Sequence, residues 1–238
     1  MKNKITLISI IGTIVLIIIT IVIVIINKNK TNTKKTSNNF VDNTQRELIL
    51  TDNEKPIISL IPREDGHELK LKIDNISSII TQIEYELIYS AQDNGLEMEK
   101  GVGDTVKITS KNIEKDLLLG TSSCTNGCKY KYDEGITSGT LSLSFSTDDN
   151  QSVTYESQFI LKTSSDIKKD GGLSLTLENF EIKASTTTKN DYFILIKNFN
   201  NFYSVFSNGT GAGKISSISP DSVTKENKTT LVGNYLIN

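Results

Sequence analysis

The stretch Glu68-Leu-Lys-Leu-Lys-Ile-Asp74 determines the fold class of this chain. Its three apolar residues alternate with charged ones, so an extended strand buries one face and leaves the other in water. The same period of two recurs at Gln82–Tyr89 and at Leu141–Phe145. Because no stretch after residue 45 keeps a helical period, the pattern predicts an all-β fold of antiparallel strands.

Candidate strands follow one another at short intervals. Asp65-Gly66 lies between two of them, and because both residues tolerate a positive φ, the pair predicts a hairpin turn. The spacing is typical of a β-sandwich of the immunoglobulin or fibronectin III type, although the chain lacks the Trp of antibody domains. The expected strands of this sandwich are 56–63, 67–75, 79–91, 96–100, 105–109, 115–119, 129–132, 138–147 and 152–163.

A domain boundary is predicted at Thr163–Gly172, which is polar, charged and rich in turn residues. It separates a β-sandwich domain at 46–165 from a small β-rich module at 172–238. A module of this size is only marginally stable alone, so we expect it to lean on the sandwich, and a single extended sandwich is the alternative. The expected strands of the module are 173–182, 192–196, 202–206, 214–219 and 230–237.

The N-terminal region has a different character. Ile5–Ile26 contains 22 residues without a charge, enough for a helix of about 33 Å across a hydrocarbon core of about 30 Å. A cleaved signal peptide has a shorter apolar region and a small-residue cleavage site, and no alanine precedes Ala91. We therefore predict a transmembrane helix at 5–26 that acts as a signal anchor, followed by a flexible polar stalk at 27–45.

Charge is distributed unevenly along the chain. Lys and Arg number 26 and Asp and Glu number 28, for a net charge of −2. Six lysines precede Asp42 and all 28 acids lie at or after it, so +6 on the anchor and stalk is followed by −8. An acidic folded part disfavours nucleic-acid binding, and two cysteines are too few for a disulfide-dense mini-protein.

Two signals oppose each other on membrane orientation. Lysines after the anchor outnumber those before it, which favours a cytoplasmic C-terminal part. A disulfide would indicate an oxidising compartment. We expect a single-pass protein of the cell membrane with an extracytoplasmic ectodomain, and a cytoplasmic domain is the alternative. The flanking lysines are Lys2 and Lys4 before the anchor and Lys28, Lys30, Lys34 and Lys35 after it.

Cys124 and Cys128 enclose Thr125-Asn126-Gly127, and Asn-Gly is a strong turn signal. A tight turn brings residues four apart within reach of a disulfide, which is the favoured interpretation. Free thiols, or metal or redox chemistry, are the alternatives. The single histidine, His67, lies in the Asp65-Gly66 turn with no sequence reason to approach the cysteines, so no metal and no cofactor is predicted.

No catalytic residue is predicted. The segment Asn208–Ile215 is glycine-rich but lacks the first Gly and the final Ser or Thr of a phosphate-binding loop, and Pro220 disfavours a following helix, so we interpret it as a hairpin loop. The carboxylates of Glu64, Asp65, Asp148 and Asp149 fall in predicted turns, where acidic residues serve turn geometry.

The stretch LLLGTSSCTNGCKYKYDEGITSGTLSLSF (Leu117–Phe145), behind an anchor and a polar stalk, is similar to uncharacterised surface β-sandwich proteins of small-genome bacteria. The resemblance covers the anchor and the first domain and implies placement at the cell surface without an activity. We expect a non-enzymatic adhesion or structural protein whose partner is another protein or a cell-wall polymer. An envelope enzyme acting on glycans through Asp and Glu, or a pilin-like subunit, are the alternatives; pilins carry an acid in the anchor, which this chain lacks.

Overall fold

The computed structural model describes residues 46–185, 191–209, 213–225 and 230–237. Strands dominate these ranges, so the predicted all-β fold is confirmed. The predicted transmembrane helix at 5–26 and stalk at 27–45 lie outside them. Within the described ranges, no helix has the length and apolar character needed to cross a bilayer.

A nine-stranded central sheet forms the frame of the molecule, and its pairs are antiparallel except for one short parallel strand at its side. From one edge to the other, it contains β16 (Val223–Lys225), β17 (Gly233–Ile237), β14 (Phe202–Ser207), β13 (Phe193–Lys197), β10 (Gln151–Lys162), β9 (Ser138–Ser146), β4 (Gln82–Asp93) and β5 (Leu96–Lys107), with β1 (Arg46–Glu47) parallel to β10.

Within the described ranges, three smaller sheets and one short helix accompany the central sheet. Two of these sheets cover the central sheet, and the third is a separate hairpin. The first contains β2 (Ile57–Pro62), β3 (Glu68–Asp74) and β6 (Ile113–Leu118); the second contains β11 (Leu173–Leu177), β12 (Phe180–Ser185) and β15 (Lys214–Ser219); the hairpin contains β7 (Gly120–Cys124) and β8 (Cys128–Tyr132); and the helix is α1 (Ser164–Lys169).

Two hydrophobic cores lie on opposite faces of the central sheet. Along β13, Ile194 and Ile196 enter the core under β2-β3-β6, whereas Phe193 and Leu195 enter the core under β11-β12-β15. Successive side chains of a strand point to opposite faces, so this one strand contributes to both cores. The alternation predicted for Glu68–Asp74 is confirmed, with its leucine and isoleucine residues fully buried.

The β2–β3 hairpin predicted from Asp65-Gly66 is confirmed, and Gly66 has a φ of 73°. Two strands expected at 96–100 and 105–109 are one strand, β5, because Gly101 and Gly103 continue the ladder beside β4. A Cβ at Gly103 would lie 2.5 Å from the Tyr85 carbonyl oxygen, so this glycine permits close backbone approach.

The strand expected at 173–182 is instead the hairpin of β11 and β12, which reverses at Glu178 with a φ of 52°. The boundary segment contains α1, which begins with a capping box between Thr163 and Asp166. One and a half turns are too short for a periodic signal, so the sequence pattern missed this helix. The central sheet runs from the predicted sandwich into the predicted module, while their division into two domains stays a prediction.

Candidate functional site

The hairpin of β7 and β8 projects from the molecule, and we name Gly120–Tyr132 the arm. All but its first residue are exposed, and none belongs to either core. Its strands pair from Gly120 opposite Tyr132 to Cys124 opposite Cys128. Gly127, in the turn between them, has a φ of 96°, which explains the Asn-Gly turn signal. The arm is therefore a folded element that forms no part of the core.

The cysteine pair closes the tip of the arm. The two Sγ atoms lie 2.18 Å apart, at disulfide distance, and the Cα atoms of Cys124 and Cys128 are 4.1 Å apart. His67 lies away from the sulfurs and stacks on Tyr132. Among the described residues, no group of three or more His, Cys, Asp or Glu side chains is placed to hold a metal ion.

One face of the arm is aromatic and the other is cationic. Tyr130 and Tyr132 lie on the same face as the cysteine pair because residues two apart in a strand share a face. Ser122 and Gly120 lie opposite them in the register, so small residues flank both rings. Lys129 and Lys131 alternate with the tyrosines and project from the other face, and Lys131 Nζ donates to Asp93 Oδ2 at 3.3 Å.

Three rings stack in a row along this face. The ring centroids of His67 and Tyr132 are 3.9 Å apart with an interplanar angle of 8°, and those of Tyr130 and Tyr132 are 5.9 Å apart at 6°. Tyr130 remains 52% exposed. Sequence reasoning placed His67 in its turn but missed this stack, because the two residues are 65 positions apart and only the β3–β6 pairing brings them together.

A buried carboxylate anchors the base of the arm. Asp133, directly after β8, accepts hydrogen bonds from Tyr89 Oη at 2.9 Å and from Lys100 Nζ, while its N–H donates to the Leu119 carbonyl at 3.0 Å. Burial, together with the bond to Asp133, raises the pKa of Tyr89. Asp133 therefore joins the arm to β4 through Tyr89 and to β5 through Lys100.

Replacing Asp133 with alanine is expected to destabilise the protein by roughly 1–3 kcal/mol, because the Lys100 ammonium and the Tyr89 hydroxyl then lose a buried acceptor. Amide hydrogen exchange along β7 and β8 should accelerate. Asp93→Ala is the matched control, since its bond to Lys131 is near the surface and should cost less than about 0.5 kcal/mol. Unchanged exchange in the arm of the Asp133 variant would contradict the anchoring role.

An open cleft of about 300 Å³ lies beside the base of the arm, and the aspartates that line it, Asp65, Asp133 and Asp166, are held by hydrogen bonds. Asp65 accepts two hydrogen bonds from the guanidinium of Arg63, at 2.8 and 2.6 Å, which lower the pKa of Asp65 to about 2. Asp166 accepts from the N–H and hydroxyl of Thr163. A general acid needs a raised pKa, so neither group is suited to that role.

The other acidic candidates lie elsewhere. Asp148 and Asp149 line a different cleft from Asp65, and Asp149 contacts Arg46 at 3.5 Å. Glu64 lies exposed in the β2–β3 turn. The sequence-predicted turn carboxylates therefore do not converge on one site.

The glycine-rich segment Asn208–Ile215 connects β14 of the central sheet to β15 of a covering sheet, so the hairpin interpretation is wrong and the segment is a crossing between layers. Residues 210–212 lie outside the described ranges. Lys214 begins a strand rather than a helix, so the helix N-terminus of a phosphate-binding loop does not follow.

Comparison with protein-family models, with curated proteins and with solved structures finds no significant match to this chain.

Proposed function

We propose that the chain is a single-pass, membrane-anchored surface protein with a non-enzymatic binding role, and that the arm contacts its partner. The uncharged stretch 5–26 and the polar residues 27–45 support the anchor and stalk. The partner is a protein or a cell-wall polymer.

The composition and exposure of the arm carry this proposal. The arm combines two tyrosines with Ser, Gly and Asn, the residue types in which antibody binding loops are enriched. Tyrosine supplies a large contact area at a small cost in conformational entropy, and small polar residues supply adaptable hydrogen bonds. The cysteine pair at the tip and Asp133 at the base hold the arm in place before any partner arrives, which lowers the entropic cost of binding.

The strand order of the sheets beneath the arm supports a sandwich of the immunoglobulin or fibronectin III type. The three-stranded sheet follows β2-β3-β6, and the facing strands follow β5-β4-β9-β10. In chain order these correspond to A-B-E and C′-C-F-G of such a sandwich. The arm is then an insertion between strands E and F, and binding residues are found disproportionately on loops that a rigid scaffold positions.

Contact through the arm is tested by photo-crosslinking in intact cells that make the full chain. A photoreactive residue at Lys129 is expected to give a covalent adduct, because Lys129 is exposed between the Cys128 tip and Tyr130. Adding Tyr130→Ala should reduce adduct yield by up to about thirtyfold, because losing a binding hot spot costs about 2 kcal/mol. The same probe at exposed Asp148, beside a different cleft, is the control. Equal adducts at both positions would contradict a specific arm interaction.

The side of the membrane on which the folded part lies is tested separately, by labelling the two cysteines. A membrane-impermeant maleimide should label Cys124 and Cys128 on intact cells only after a reductant is added, because paired sulfurs do not react. Labelling that appears only after the cells are lysed would establish a cytoplasmic domain and overturn placement at the surface.

A further inference from the structure

A long strand forms one edge of the central sheet. β5 runs for 12 residues and pairs with β4, and no other described strand pairs with its outer side. Two of its apolar side chains are open to solvent, with Leu96 69% and Met98 46% exposed, whereas Val102 and Val106 are half-buried against the core. An exposed edge of this length is a template for pairing with another strand, unless something covers it.

The hairpin geometry shows which residues face outward. Asp93 and Leu96 flank the two-residue turn Asn94-Gly95, so they exchange both hydrogen bonds of the closing pair. Hydrogen-bonded pairs then recur at every second residue, which directs the backbone groups of even-numbered β5 residues toward β4 and those of odd-numbered residues toward the free edge. Consistently, the N–H of Thr105 donates to its neighbour Asp104 at 2.8 Å and not to β4.

The sequence of this edge is complementary to itself. We propose that β5 pairs antiparallel with β5 of a second copy of the chain, about a two-fold axis at Val102, so that the central sheets join into one sheet. In this register, oppositely charged residues face each other across the two strands, and so do apolar residues and glycines. The cross-strand pairs are Leu96 with Ile108, Glu97 with Lys107, Met98 with Val106, Glu99 with Thr105, Lys100 with Asp104, Gly101 with Gly103, and Val102 with itself.

Neighbouring registers lose this match. Only shifts of two residues keep outward-facing backbone groups opposite one another. A shift in one direction places Lys100 opposite Val102 and Asp104 opposite Met98. The other shift keeps one ion pair, between Glu99 and Lys107, but places Asp104 opposite Val102 and Lys100 opposite Val106. Charges opposite apolar residues gain no attraction, so complementarity selects one register and a second copy as the partner.

The charged groups are placed for this role. Glu97 and Lys107 are exposed and make no ion pair with another described residue. Lys100 donates to Asp133 and, as an ammonium with three donors, can also reach Asp104 of the second copy. At Val102 the axis passes through a non-hydrogen-bonded pair flanked by Gly101 and Gly103, so the two valines meet on one face and no side chain crowds the centre of the other face.

Charge exchange tests the pairing in the full chain in detergent, by light scattering coupled to size-exclusion chromatography. The natural chain should be a dimer, and E97K or K107E alone should raise the dimer dissociation constant about tenfold, since each places like charges opposite one another twice per dimer. The double variant E97K/K107E should restore the dimer. A monomeric natural chain, or a double variant no better than either single one, would overturn the proposal.

Cysteine mapping tests the register in a C124S/C128S background. V102C should form a disulfide-linked dimer under mild oxidation, because Cα atoms in a non-hydrogen-bonded antiparallel pair lie about 4.5 Å apart. V106C, on the same strand and face, should not, since the two copies of residue 106 would be about 27 Å apart. A mixture of M98C and V106C chains should cross-link. Equal cross-linking of V102C and V106C would contradict this register.

Discussion

Truncating Leu195 to alanine should lower the free energy of unfolding by about 2–5 kcal/mol, and the loss should reach both cores. Leu195 is fully buried beneath β11-β12-β15. Its neighbours Ile194 and Ile196 fill the other core. Removing three carbons leaves a cavity, which accounts for the cost. Because β13 is hydrogen-bonded to β10 and β14 and shared between the cores, disrupting it should loosen both.

Hydrogen exchange measures whether the effect crosses the sheet. In the Leu195→Ala variant, amides of β4 and β9, which line the other core, should exchange faster along with those of β12. Ile49→Ala is the control, since Ile49 is 82% exposed and its truncation should cost less than about 0.5 kcal/mol. If only β12 and its neighbours lose protection, the two cores unfold independently, as two separate domains would.

The sequence carried a signal for this shared strand. Tyr192–Ile196 is a continuous apolar run and not an alternating one, and such runs are typical of strands buried on both faces. What the pattern could not supply was the partner: β13 pairs with β10, across the intervening α1, β11 and β12. Pairing order is set by long-range contacts, so local periodicity predicted most strands but not the sheet that unites them.

In the candidate site, too, the sequence predicted the local features but not the contacts between distant strands. Asn126-Gly127 and the flanking cysteines predicted a tight turn, because turn chemistry is local. The stack of His67 on Tyr132 and the bond from Tyr89 to Asp133 depend on contacts between distant strands. The period-two pattern also could not separate an exposed arm from a core strand at 129–132, because alternating Lys and Tyr fit both. Exposure of Tyr130 was therefore visible only in the fold.

Asn198 is one of 22 asparagines in the chain, and no local sequence pattern marks it as a buried residue. It lies buried in the turn after β13, where its Oδ1 accepts from the Ile58 N–H at 2.8 Å and its Nδ2 donates to the Ile58 carbonyl at 2.9 Å. The side-chain amide thus satisfies the unpaired edge of β2 as a neighbouring strand would. The same Nδ2 donates to Ser204 Oγ at 3.1 Å, and that hydroxyl donates to Asn234 Oδ1 at 2.9 Å.

Asn198→Ala is accordingly expected to destabilise the protein by about 3 kcal/mol, because two buried backbone groups of Ile58 lose their partners and each such group costs roughly 1–3 kcal/mol. Ser204→Ala is the matched control. It removes hydroxyl bonds between side chains, leaves the Ile58 pairing intact and should cost about 1 kcal/mol. Urea denaturation measures both, with an unchanged m-value showing that the same surface unfolds. Equal costs for the two variants would mean that water replaces the amide at Ile58, and that the edge of β2 does not need Asn198.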